Sequence, residues 1–116
     1  MKPHAEDSPV RDVQWFQKDL VVQVAGDIDL NRSTAFQQSL LALMDKKPRR
    51  IVLDLAAVPY MDSSGVASLV KLLSRARKSG ANLYLVRLAD RVRSVFEITR
   101  LDSVFEIRQT VQEALA

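Results

Sequence analysis

Residues 50–80 read RIVLDLAAVPYMDSSGVASLVKLLSRARKSG, and two different periods meet inside this stretch. Ile51-Val52-Leu53-Asp54-Leu55 is a compact apolar run of strand length, suited to a strand covered on both faces as in a parallel sheet. Val58-Pro59-Tyr60-Met61 leads out of it. From Val66 onward the apolar positions fall at helical spacing, at Val66, Leu69, Val70, Leu73 and Ala76. Asp62-Ser63-Ser64-Gly65 stands at the junction. Arg77 and Lys78 suit the negative end of the helix, and Gly80 suits the residue just past it. The stretch therefore predicts a buried strand feeding directly into an amphipathic helix.

Working outward, the same alternation continues on both sides. Arg11–Phe16 and Leu20–Ala25 are rich in β-branched and aromatic residues and are separated by the polar turn Gln17-Lys18-Asp19, which predicts an antiparallel hairpin. After Gly26-Asp27-Ile28-Asp29, the residues Phe36, Leu40, Leu43 and Met44 define one helix face. Asp29 or Asn31 can cap that helix, Lys46 and Lys47 favour its negative end, and Pro48 stops it. On the C-terminal side, Leu83–Val86 predicts a strand and Asp90 caps a helix carrying Val92, Val95, Phe96 and Thr99. Leu101, Val104, Phe105 and Ile107 predict another short strand, and Thr110–Leu115 a closing helix. The expected order is β-β-α-β-α-β-α-β-α. That order predicts an α/β fold, a mixed and mostly parallel sheet of four to five strands with about four packed helices. Residues 1–9, polar and holding two prolines, are expected to form a flexible leader, and residues 10–116 a single domain.

Composition narrows the chemistry. The 116 residues suit one domain, and 47% hydrophobic with 27% charged is ordinary globular usage. Cys is absent, which excludes disulfide scaffolds, Cys-ligated zinc and thiol catalysis. His4 is the one histidine and lies in the polar N-terminal stretch, which argues against His-based triads and multi-His metal sites. A net charge of +3 is a weak pointer to nucleic acid, and the aromatic interleaving used for base stacking is missing. Arg75, Arg77 and Lys78 complement a helix end, while Arg87, Arg91 and Arg93 read as a solvated face. No apolar stretch approaches the about 18–20 residues of a spanning helix. The start of the chain has no apolar signal region, and a cytoplasmic protein with no membrane insertion is expected.

The candidate site is Asp62-Ser63-Ser64-Gly65. A helix start presents unpaired N–H groups and about half a positive charge, so it suits an anion. Hydroxyls beside it can bind an anion, or become one by phosphorylation, which adds roughly −1.5 to −2 charge. The same residues are also ordinary helix caps, with the glycine relieving crowding. A catalytic serine is disfavoured by the missing Gly-x-Ser-x-Gly pattern and the absence of a His in the body of the chain, and the phosphate-binding P-loop pattern is missing too. Asp27 and Asp29 form a second cluster. If their strand neighbours Ile51–Leu55, the Asp29 loop adjoins the Asp62 loop, where carboxylates can repel a phosphate, act as acid and base, or simply cap and be solvated. A third ligand group is missing, and no metal is expected.

Taken in order, these pieces resemble a STAS domain, the fold named for sulfate transporters and anti-sigma factor antagonists. The likeness runs from Val13 to Ile107. It comprises the strand ending in Gly26-Asp27-Ile28-Asp29, the Ile51–Leu55 strand before Asp62-Ser63-Ser64-Gly65, and the Lys78-Ser79-Gly80-Ala81 turn. It also takes in Val92–Ile98 followed by Leu101–Phe105. Asp27 stands where the family often has Glu, and Val66 where it often has Leu. The resemblance implies an anti-sigma factor antagonist that works by partner switching in bacteria. It implies Ser63 as phosphoacceptor, an anti-sigma factor serine kinase as partner, and a phosphatase that resets the cycle. ATP belongs to the kinase, so the chain itself needs no cofactor. Asp29 matches the acidic residue near the phosphoacceptor, and Asp62, Ser64 and Gly65 match the rest of the switch loop. The alternative within the family is the cytoplasmic subunit of an ABC lipid-transport system, which binds permease and ATPase subunits without phosphorylation. Val66-Ala67 favours that alternative.

Overall fold

The computed structural model describes residues 8–116. Two strands form a hairpin, β1 (Val10–Phe16) and β2 (Asp19–Ala25), followed by α1 (Leu30–Met44), β3 (Arg50–Ala57) and α2 (Ser63–Ser79). Then come β4 (Asn82–Val86), α3 (Asp90–Ile98), a 3₁₀ turn (Leu101–Ser103), β5 (Glu106–Arg108) and α4 (Val111–Leu115). The five strands lie side by side in sequence order. β1 runs antiparallel to β2 and the other neighbours are parallel, so the expected α/β sheet is present.

The register explains how one sheet serves two layers. Leu20 stands beside Ile51 and Val22 beside Leu53, and across the next pair Leu53 meets Leu85. These side chains join Phe36, Leu40, Leu69, Leu72, Val92 and Phe96 in the main core, so α1, α2 and α3 share one face. The alternate residues Val21, Val52 and Val86 face the other way and are covered by Ala114 of α4. β3 is thus buried on both sides, as its apolar run predicts.

Because α4 is only five residues long, its start matters. Thr110 caps it by accepting from the Glu113 N–H at 3.0 Å, and the Glu113 carboxylate in turn accepts from the Gln109 N–H at 3.0 Å. Replacing Thr110 with Ala is expected to lower stability by about 1 kcal/mol, the ordinary worth of a cap. Chemical denaturation checks this, and an unchanged midpoint would contradict the cap's role.

Several sequence expectations need correction. The leader expected over residues 1–9 falls outside the described residues at positions 1–7, but Ser8 and Pro9 are buried. The Ser39 hydroxyl donates to Ser8 Oγ at 2.8 Å, the Val10 N–H bonds the same oxygen, and the Pro9 carbonyl accepts from the Ala25 N–H at 2.9 Å. Polarity hid this role because the two buried hydroxyls satisfy each other. α1 ends at Met44, before Lys46 and Pro48, with no basic residue in its last turn. Asp90 does not cap α3. It is the first helical residue, and Ala89 holds the cap position without a side-chain bond. The strand expected over Leu101–Ile107 is mostly a turn. Leu101, Val104 and Phe105 follow helical rather than alternating spacing, and the Leu101 carbonyl accepts from the N–H groups of Val104 and Phe105. Phe105 meets Phe96 edge-on, with ring centroids 5.4 Å apart, and the strand shrinks to Glu106–Arg108.

Arg87 is not merely a solvated charge. It grips the Asp54 carboxylate with two bonds, Nε at 3.0 Å and Nη2 at 2.6 Å, and the Ala56 N–H donates to the same group at 3.1 Å. Asp54 is 2% exposed, so the pair neutralises a charge inside β3. The contact with Asp54 holds the Arg87 guanidinium above its ordinary pKa, first through the hydrogen bond and then through charge attraction.

Candidate functional site

β2 and β3 are neighbours, so their C-terminal ends deliver two loops to one edge of the sheet. The loops do more than lie close. Ile28 and Met61 form an isolated parallel bridge: the Ile28 N–H donates to the Tyr60 carbonyl at 3.0 Å, and the Asp62 N–H donates to the Ile28 carbonyl at 3.1 Å. The next residue in each chain segment is an aspartate, and each aspartate caps a helix. Asp29 Oδ1 accepts from the N–H groups of Asn31 (3.0 Å) and Arg32 (3.2 Å). Asp62 Oδ1 accepts from the N–H groups of Ser64 (2.9 Å) and Gly65 (3.3 Å). The expected adjacency of the two loops is therefore built by the backbone, and both carboxylates serve the starts of α1 and α2.

Gly65 is what lets the helices start so close together. A Cβ there would stand 2.6 Å from Met61 Cγ, 2.8 Å from Ile28 Cγ2 and 3.2 Å from the Ile28 carbonyl oxygen. The first turn of α2 thus rests directly on the bridge between the two loops.

The paired serines differ sharply. Ser63 is the first residue of α2 and is exposed, and its hydroxyl has no hydrogen-bond partner among the described residues. Ser64 is half-buried, and its hydroxyl donates to Asp62 Oδ1 in a close contact. Asp27 is exposed, and its carbonyl accepts from Arg32 Nη1 at 3.0 Å. Asp27 therefore contributes backbone rather than carboxylate contacts to the described geometry. Among the described residues no three His, Cys, Asp or Glu side chains gather as metal ligands. None of the described helices is long and apolar enough to cross a membrane.

Asp62 is held below the usual carboxylate pKa, first by the Ser64 hydroxyl and, against the opposing effect of burial, by nearby backbone N–H groups of which Gly65 and Ser64 are the strongest. A carboxyl more acidic when folded contributes stability that is complete above its unfolded pKa of about 4, and that is lost as pH falls through the lower folded value. Asn caps nearly as well as Asp, so Asp62→Asn isolates the charge. The stability advantage of the wild type over Asp62→Asn is expected at about pH 7 and should shrink at an acid pH well below about 4. Thermal melts at the two pH values check this, and a constant gap would contradict it.

With this geometry established, the comparisons identify the family. The STAS domain profile matches residues 11–114, and the chain belongs to that family. It is 30% identical over 96 residues to the anti-sigma-B factor antagonist of Bacillus subtilis, covering 83% of this chain and 87% of the relative. The Listeria monocytogenes anti-sigma-B factor antagonist is 33% identical over 90 residues, 78% of this chain and 79% of that one. Among solved structures, an anti-sigma factor antagonist from Mycobacterium paratuberculosis superposes with a TM-score of 0.84 at 28% identity, over 97% of this chain and 95% of the other. The relatives named here are thus antagonists of anti-sigma factors.

Proposed function

We propose that the chain is an anti-sigma factor antagonist that binds a kinase-type anti-sigma factor and is released from it when Ser63 is phosphorylated. The observation that carries this reading is the exposed Ser63 hydroxyl at the start of α2, unbonded among the described residues, beside a serine whose hydroxyl is already engaged. The names of the relatives support an anti-sigma factor as the partner.

The surface around Ser63 suits protein contact. Ser63, Ala67 and Val70 follow helical spacing along the exposed side of α2. Leu30, 76% exposed, is the first residue of α1, whose start adjoins that of α2 across the Ile28–Met61 bridge. A hydroxyl on the same helix side as exposed apolar residues makes a surface that docks well when neutral and poorly when charged.

The switch follows from charge. A phosphoryl group on Ser63 meets the start of α2, but the Ser64 and Gly65 N–H groups that would receive it already donate to Asp62. Asp62 lies next to it in sequence and Asp29 across the Ile28–Met61 bridge. The dianion therefore gains little compensation within the chain and must be desolvated by the partner. A phosphatase restores the neutral hydroxyl. The test is capture of binding partners from an extract of the source organism by the immobilised chain. A serine kinase of the anti-sigma class is the expected partner, while recovery of ABC permease and ATPase subunits would overturn the assignment.

A further inference from the structure

We infer that Asp62 selects Ser63 over Ser64 as the phosphoacceptor, by holding the Ser64 hydroxyl. The inference rests on the phosphorylation reading above and adds a specificity-determining residue to it. The two serines are adjacent, identical in chemistry and both in the first turn of α2, so residue type cannot tell them apart.

Their hydroxyls can be told apart. Phosphorylation requires the serine Oγ to attack the γ-phosphorus of a nucleoside triphosphate. The Oγ–P bond forms, the bond from the γ-phosphorus to the β,γ-bridging oxygen breaks, and the nucleoside diphosphate leaves with that bond's electron pair. The hydroxyl proton passes to a base of the kinase. Ser63 is exposed and its hydroxyl carries no bond among the described residues, so it can turn toward that base. The Ser64 proton is already committed to Asp62 Oδ1, the side chain is half-buried, and the Ser64 carbonyl is occupied by the Ser68 hydroxyl at 3.1 Å.

A carboxylate accepting a serine proton can also activate that serine, so the state of Asp62 decides the sign. Here Asp62 is a poor base. The N–H groups of Ser64 and Gly65 join the Ser64 hydroxyl around it, and together they hold its pKa down. Phosphorylation of Ser64 would break the charge-assisted bond and replace it with a dianion facing the same carboxylate. Loss of one such bond on the competing hydroxyl corresponds to about 10- to 100-fold in rate, with the repulsion adding to it. Asp62 is thus a positioning residue: it touches no phosphoryl donor and acts through Ser64.

The test reads the distribution of phosphate between the two serines, which a purely structural role for Asp62 would not shift. Purified chain is incubated with Mg-ATP and an extract of the source organism, and the modified residue is mapped by fragmentation mass spectrometry. Wild type is expected to carry phosphate on Ser63, with Ser64 at least about 10-fold lower. Ser63→Ala is expected to stay unmodified, and Ser63→Ala with Asp62→Gly to gain phosphate on Ser64, Gly being a tolerated cap. Should the glycine variant fail to fold, Asp62→Asn keeps the cap while weakening the acceptor, and an intermediate gain on Ser64 is expected. Efficient phosphorylation of Ser64 in Ser63→Ala with Asp62 intact would overturn the selection while leaving the switch in place. So would a folded double variant that stays unmodified. Wild type modified on neither serine would instead overturn the phosphorylation reading, and the selection with it.

Discussion

Ser63→Asp is expected to weaken binding to the anti-sigma partner by about 100-fold or more, with Ser63→Ala close to wild type. The size follows from burying a charge without a partner, which costs several kcal/mol, each tenfold in affinity being about 1.4 kcal/mol. The local geometry offers the new carboxylate almost nothing. The Ser64 and Gly65 N–H groups are committed to Asp62, whose own charge lies one residue away. Aspartate adds one charge and phosphoserine up to two, so the phosphorylated chain should bind more weakly still. Ser63 is exposed and makes no internal bond among the described residues, so the substitution should leave the melting temperature nearly unchanged. Titration calorimetry with the purified partner, paired with a thermal melt, separates the two effects. Equal affinity of Ser63→Asp and wild type would contradict the charge mechanism.

Gly65→Ala is expected to damage both fold and binding. The added methyl would stand within 2.6–2.8 Å of two side-chain atoms near the backbone, Met61 Cγ and Ile28 Cγ2, neither at a flexible chain end. Ile28 is fully buried and bonded through both backbone groups to the opposite loop, so it cannot step aside. The first turn of α2 must lift from the bridge, at about 1–3 kcal/mol for overpacking, against a helix-propensity gain below about 1 kcal/mol. Several degrees of lost melting temperature should accompany it. Because the same turn carries Ser63 and receives the Asp62 cap, partner binding should fall with stability. Unchanged melting and binding would show that the close approach of the two helix starts is not needed.

The parts legible in the sequence are those set by local pattern. The Ile51–Leu55 run, the helical spacing after Val66 and the capping residues Asp29, Asp62 and Gly80 each depend on neighbours a few positions away. The paired loops were legible as a consequence of β2 and β3 lying side by side. What stayed hidden depends on partners far apart in the chain. Asp54 and Arg87 are separated by 33 positions, and a charged residue inside an apolar strand was the available sign that a cation had to reach it. Ser8 and Ser39 are 31 apart and look like surface residues until they bond each other. At Leu101–Phe105 the apolar residues supported two periods, and contact with Phe96 chose the turn. In the Asp62–Gly65 loop, the type and order of residues suggested a modified serine. The difference between Ser63 and Ser64 emerged only with the direction of the Asp62 carboxylate.

The most direct test is to compare the affinity of the purified anti-sigma kinase for two forms of this chain. One is unmodified and one is phosphorylated at Ser63, confirmed by mass mapping. Tight binding of the unmodified chain and a loss of about 100-fold or more on phosphorylation is the expected result. Equal affinity of the two forms would contradict it.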